Sequence, residues 1–118
     1  MFVYMLLCAD NSIYTGTARD LEKRMRDHFE KRPAAAAYTR AKGASYLLAA
    51  WDCESYSGAL RAEAAIKRLK RQDKERLVNG EIQLTVDAFS SIGEENFTKL
   101  PDGDPRLAAI RAAYPRGE

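Results

Sequence analysis

The sequence predicts a small α/β domain of the α+β type, and three observations carry that expectation. Strand-forming residues flank a turn at the start of the chain. Two later segments repeat apolar residues at helical spacing. Between them lies a run rich in aromatic and aliphatic residues. A chain of 118 residues, 46% hydrophobic and 31% charged, suits one domain with a core of modest size.

Phe2 to Cys8 alternates around β-formers, Ala9-Asp10-Asn11 has turn chemistry, and Ser12 to Thr17 continues as a second strand, so the chain opens as a hairpin. Asp20 is a candidate cap for a helix over 21–31 with Leu21, Met25 and Phe29 as its apolar stripe, and Pro33 helps to end it. Residues 34–42 stay open between helix and loop: alanine favours helix, but the run is short and carries Tyr38-Thr39-Arg40. Ser45 to Cys53 reads as a third strand. Ser57 is a candidate cap for a helix over 58–71, and a shorter helix over 73–79 ends near Asn79-Gly80. Beyond it, Gly80, Gly93, Pro101, Gly103, Pro105, Pro115 and Gly117 punctuate a mildly acidic segment, in which Asp104-Pro105 opens a short helix over 106–113. The chain thus reads as a core domain over 1–80 and a C-terminal extension over 81–118 that packs on it, its role open.

Bulk properties narrow the function. Cys8 and Cys53 have neither metal-ligand spacing nor a disulfide framework, which points to a reducing, cytoplasmic setting. The apolar run Met1 to Ala9 has no basic leader and is too short to span a bilayer, so it reads as a strand and no membrane association is expected. Charge is unevenly placed: residues 1–80 hold 15 Lys+Arg against 10 Asp+Glu, and residues 81–118 hold 4 against 7. Solvated helix faces would explain any single basic run, but the field suits a polyanion, with Lys23, Arg26, Arg40, Lys42 and Lys67 as candidate nucleic-acid contacts.

The candidate chemistry starts at Glu63. It falls within the stripe Ala59, Ala62, Ile66 and Leu69, where a carboxylate is costly unless paired or bound to metal. Pairing with Lys67 one turn on is the structural alternative, and a Mg²⁺ ligand the functional one. Arg24 and His28, spaced i, i+4, share a helix face; a guanidinium there can brace a phosphate bidentately. His28 is the single histidine and by itself suggests a structural hydrogen bond. Tyr4 and Tyr14 are ordinary strand residues unless the hairpin loop is odd-numbered. A loop of Ala9-Asp10-Asn11 pairs Leu6 with Tyr14 and Tyr4 with Gly16, which puts both tyrosines on one face and leaves room over Gly16 for a backbone or phosphate.

Together these residues resemble the GIY-YIG nuclease domain. Phe2-Val3-Tyr4 stands where that family has Gly-Ile-Tyr, and Tyr14-Thr15-Gly16 where it has Tyr-Ile-Gly. Leu21 to His28 is similar to its helix motif, and Leu60 to Lys67 to the segment with its glutamate. The likeness covers residues 1–80 and is closest to a small, stand-alone bacterial branch that also carries Tyr-Thr-Arg. It departs at Phe2 and Thr15 and in the alanine-rich loop 31–37, while the family's later asparagine has only Asn79 as a loose counterpart and is not carried over.

The resemblance implies a three-stranded antiparallel sheet flanked by helices. It implies DNA phosphodiester hydrolysis with one Mg²⁺ (or Mn²⁺) on Glu63 and with Arg24 stabilising the charged phosphorus centre. Tyr4 would deprotonate water, while Tyr14 and His28 orient the phosphate or relay protons. Tyrosine ordinarily titrates near ~10, so a base role needs nearby positive charge. Structure-selective or sequence-nonspecific cutting of branched or single-stranded DNA, in repair or recombination, is the expected activity. A binding module with weak or lost catalysis, or an interaction protein using 81–118, is the alternative.

Overall fold

The computed structural model describes residues 1–84 and 97–116; residues 85–96 and 117–118, which include Gly93 and Gly117 of the predicted tail, lie outside the described residues. The elements run β1 (Phe2–Cys8), β2 (Ile13–Ala18), α1 (Leu21–Phe29), α2 (Ala37–Lys42), β3 (Ala44–Cys53), α3 (Tyr56–Arg68), α4 (Arg71–Val78), β4 (Phe97–Lys99) and α5 (Pro105–Ala113).

The sheet is antiparallel with order β2-β1-β3-β4. The expected three strands are therefore joined by a fourth, β4, which pairs Trp51 to Cys53 with Lys99 to Phe97. Three residues carry too little pattern to announce a strand, and β3 supplies the ladder that makes them one. The hairpin closes with the odd loop: Tyr4 faces Gly16, Leu6 faces Tyr14, and Asn11 takes φ 69°, a left-handed conformation that asparagine tolerates.

Two layers of helix cover the sheet. Phe2, Tyr4, Leu6, Ala18, Leu47 and Ala50 face α1 and α5 through Leu21, Met25, Leu107 and Ile110, with Leu100 beside them. Val3, Met5, Ala49, Trp51 and Cys53 face Ala59, Ala62 and Ile66 of α3 and Leu77 of α4. Alternation along β1 sends its residues to both cores, as expected of a strand buried on both sides.

Caps explain the helix starts. Asp20 accepts from the Lys23 amide (3.1 Å) and Asp104 from the Arg106 amide (2.9 Å), with Pro105 in the first turn. The cap of α3 is Ser55, not Ser57: Ser55 is extended, accepts from the Gly58 amide at 3.0 Å, and leaves Ser57 inside the first turn. Residues 34–42 divide, with a loop to Ala36 and a short helix from Ala37 ended by Gly43 at φ 79°. No described helix is long and apolar enough to cross a membrane. Cys8 and Cys53 are buried free thiols.

Candidate active site

The hairpin register puts Tyr4 and Tyr14 on one face of the sheet, with ring centroids 6.4 Å apart. His28 reaches down from α1 and touches both rings, at 5.6 Å and 5.5 Å. Tyr4 and His28 are fully buried. Gly16 makes this packing possible: a Cβ there would lie 2.5 Å from the Tyr4 hydroxyl. The space over Gly16, expected to admit a backbone or phosphate, is thus taken by the Tyr4 phenol itself.

Hydrogen bonds give the cluster a direction. Thr39, a buried residue of α2, donates its hydroxyl to the Ala36 carbonyl at 3.0 Å. Its single proton is then committed, so it accepts from His28 Nδ1 at 2.7 Å. That tautomer leaves Nε2 as an acceptor, and the Tyr4 hydroxyl donates to it at 2.6 Å. Burial, with the Arg24 charge, lowers His28 to about 4 and keeps it neutral near pH 7.

Arg24 donates from Nη1 to the Ala34 carbonyl at 2.6 Å and lies 3.8 Å from the Asp27 carboxylate. It also acts on the Tyr4 hydroxyl through a hydrogen bond and its charge, both favouring the phenolate. Burial nevertheless dominates and holds Tyr4 well above the ordinary tyrosine range, with the Tyr14 and Glu63 charges adding to the rise. Arg24 by itself therefore does not bring Tyr4 down to neutrality; His28 Nε2 is the group placed to take its proton.

Glu63 approaches from the other face of the sheet, on α3, close enough for its charge to act on Tyr4. Its side chain is 21% exposed and pairs with Lys67 Nζ at 3.5 Å, the partner expected one turn on. The described residues hold no group of three His, Cys, Asp or Glu able to cage a metal. A lone carboxylate fits Mg²⁺ that keeps its waters and takes its remaining ligands from phosphate, not an ion held by protein alone.

Tyr4, Tyr14 and His28 therefore form one cluster with Arg24 acting on the Tyr4 hydroxyl, while Glu63, on α3, reaches that hydroxyl through its charge. Of the expected nucleic-acid contacts, Lys23, Arg26 and Arg40 are exposed, Lys42 pairs with Asp10 at 3.5 Å, and Lys67 is engaged by Glu63. Asn79 lies elsewhere: it lines a cleft of about 270 Å³ with Leu7, Ile13, Leu48 and Arg71.

Two residues escaped the sequence reading of the site. Thr39 sets the histidine tautomer, and Tyr38 stacks on Tyr14 at 5.7 Å with 25° between the rings. The Tyr38-Thr39-Arg40 triplet was the available signal, but residues 34–42 had no settled element to aim them.

A family model described as the GIY-YIG catalytic domain matches residues 1–76. Among curated proteins, a UPF0213 protein of Halalkalibacterium halodurans is 40% identical over 78 residues, covering 66% of this chain and 81% of that protein. A UPF0213 protein of Cronobacter sakazakii is 41% identical over 81 residues, covering 69% and 83%. The UPF0213 protein YhbQ of Escherichia coli is 40% identical over 77 residues, covering 65% and 75%. No solved structure gives a significant match.

Proposed function

The chain belongs to the GIY-YIG catalytic domain family, a nuclease family that acts on DNA, and from that premise we propose that it is a metal-dependent endonuclease hydrolysing DNA phosphodiester bonds. The observation that carries the reading is the buried Tyr4 hydroxyl, bonded to a neutral His28 and acted on by both Arg24 and Glu63.

The mechanism uses these groups in turn. An attacking water gives its proton to the Tyr4 oxygen as Tyr4 passes its own proton to His28 Nε2. The resulting hydroxide attacks phosphorus, and Arg24 offsets the charge gathering on the phosphate oxygens. The leaving oxygen departs with its bonding electrons and takes a proton from solvent. A Mg²⁺ (or Mn²⁺) ion on Glu63 would add Lewis-acid stabilisation of the phosphate. Tyr14 packs against both Tyr4 and His28 and keeps the relay in register. We read the cutting as structure-selective or sequence-nonspecific, on branched or single-stranded DNA, in repair or recombination, and in the cytoplasm, where the two buried thiols would stay reduced.

One observation favours a second reading, a nucleic-acid-binding module with weak or lost catalysis: Lys67 already pairs with the Glu63 carboxylate. Cleavage of single-stranded, duplex, nicked and branched DNA with Mg²⁺ or Mn²⁺ separates the two. Native protein should cut, Glu63→Ala should not cut yet still bind, and Arg24→Ala should be slower by about 10²–10³-fold. Equal activity in either variant defeats the nuclease reading. Salt-sensitive binding without cleavage by the native protein establishes the second.

A further inference from the structure

Two large aromatic side chains are exposed at opposite ends of β2, and neither is used by the reaction. Tyr38 is 41% exposed, but it is not loose. Its ring stacks on Tyr14, and its hydroxyl donates to Ser12 Oγ at 2.7 Å, just before β2 begins. Tyr56, in the first turn of α3, is 53% exposed, and the Arg19 guanidinium, just past the end of β2, stands 5.9 Å from its ring. Between them lies Gly16, with the Tyr4 hydroxyl against it.

The two aromatics connect to the site by different routes. Tyr38 reaches it through the ring of Tyr14. Tyr56 reaches it along α3, where Tyr56, Leu60, Glu63 and Lys67 follow one another at i, i+4, i+7 and i+11 and so share a face. Leu60 is 40% exposed on that face, so the apolar surface continues up to the Glu63 carboxylate.

We infer that the outer edge of β2 is the track for an unpaired DNA strand, with Tyr38 and Tyr56 as stacking platforms for the bases on either side of the cut. The inference rests on the nuclease reading for the identity of the strand. β2 is an edge strand, so its outward backbone N–H groups are available to phosphate oxygens. Ser12 to Arg19 spans roughly 23 Å at the rise of a β-strand, enough to set the two platforms on separate nucleotides. Lys23, Arg40 and Arg19 place positive charge near the two ends, as a phosphate backbone requires. A base can meet an aromatic face only when it has left its own stack, which selects an unpaired strand over a continuous duplex. The contacts that pin Tyr38 fix its rotamer before the strand arrives, which lowers the entropic cost of binding.

The test is equilibrium binding of a fluorescent DNA oligonucleotide of ~12 nucleotides in chelator, where nothing is cut. Native protein should prefer the single strand to its duplex. Tyr38→Ala and Tyr56→Ala should each bind about tenfold more weakly, and Tyr56→Phe, which keeps the ring, as native. In case Tyr38→Ala disturbs Tyr14, the same loss should come from native protein on a strand of the same length made abasic throughout, which keeps the phosphates and removes the bases.

Equal affinity for strand and duplex, or native affinity in both alanine variants, overturns the track. So does a native dimer that Tyr56→Ala dissociates without any change in DNA affinity, since Tyr56 would then serve a second copy of the chain. Cleavage assays keep the two readings apart. If Glu63→Ala abolishes cutting while the ring variants bind as native, the track falls and the nuclease stands. If binding depends on the rings but native protein never cuts, the track stands and the nuclease falls.

Discussion

Gly16 is the position at which one methyl group would disturb the whole cluster. A Cβ there would stand 2.5 Å from the Tyr4 hydroxyl and 2.8 Å from Cζ, and the buried ring has no cheap route aside. Gly16→Ala should cost about 1–3 kcal/mol in denaturant unfolding and slow cleavage, because the displaced hydroxyl loses its hold on His28. A variant as stable and as active as native would contradict the close packing. His28 predicts the response to pH. Its folded value of about 4 lies below the ordinary 6.5, so between those values the unfolded chain binds more protons than the native one. Stability from this group is therefore fully present above 6.5 and drains away as pH falls toward 4. Native protein should lose about 2 kcal/mol more than His28→Gln between pH 7 and pH 5, measured by urea unfolding at each pH. Thr39 shows what a residue-level reading misses: a threonine beside a tyrosine and an arginine gives no sign that its hydroxyl will be buried and will choose a histidine tautomer.

At the scale of elements, α5 braces the helix that carries Arg24 and His28. Leu107 and Ile110 are buried against the α1 side of the sheet, the Tyr114 ring stacks on Phe29 at 4.5 Å, and its hydroxyl donates to Glu30 at 2.6 Å. Arg111 ties the same helix to β3 through the Leu47 and Leu48 carbonyls. The Tyr114 contacts lie outside the tyrosine–histidine cluster and hold the C-terminal end of α1, next to His28. Leu107→Ala should destabilise the fold by about 2–5 kcal/mol, read from the shift in denaturation midpoint at unchanged slope. A loss under ~0.5 kcal/mol would mean that α5 is only laid on the surface. The caps of α1 and α5 were legible in sequence because Asp20 and Asp104 act within three residues of themselves. The cap of α3 was misplaced by two residues because Ser55 and Ser57 are equal candidates until the chain leaving β3 makes Ser55 extended.

The molecule as a whole assembles its candidate site across the sheet. Tyr4 and Tyr14 come from the hairpin, Arg24 and His28 from the helix on one face, and Glu63 from the helix on the other. Gly16, on the edge strand, makes the room for the Tyr4 ring. The chain's own residues determined the elements that depend on neighbours in sequence: the hairpin, the stripes of α1 and α3, and two of three helix caps; the odd loop stayed one of two options until the structure paired Tyr4 with Gly16. Those follow from turn chemistry, alternation and capping, which act over a few residues. Tertiary structure alone decided that Phe97 to Lys99 would become a fourth strand, that Thr39 and Tyr38 would join the cluster, and that Glu63, besides the Lys67 pair expected one turn on, would have its charge act on Tyr4. It alone decided that burial would outweigh Arg24 in setting the Tyr4 proton. Each of these turns on desolvation or on contact between residues tens of positions apart, and both appear only when the sheet and its two helical layers have closed around them.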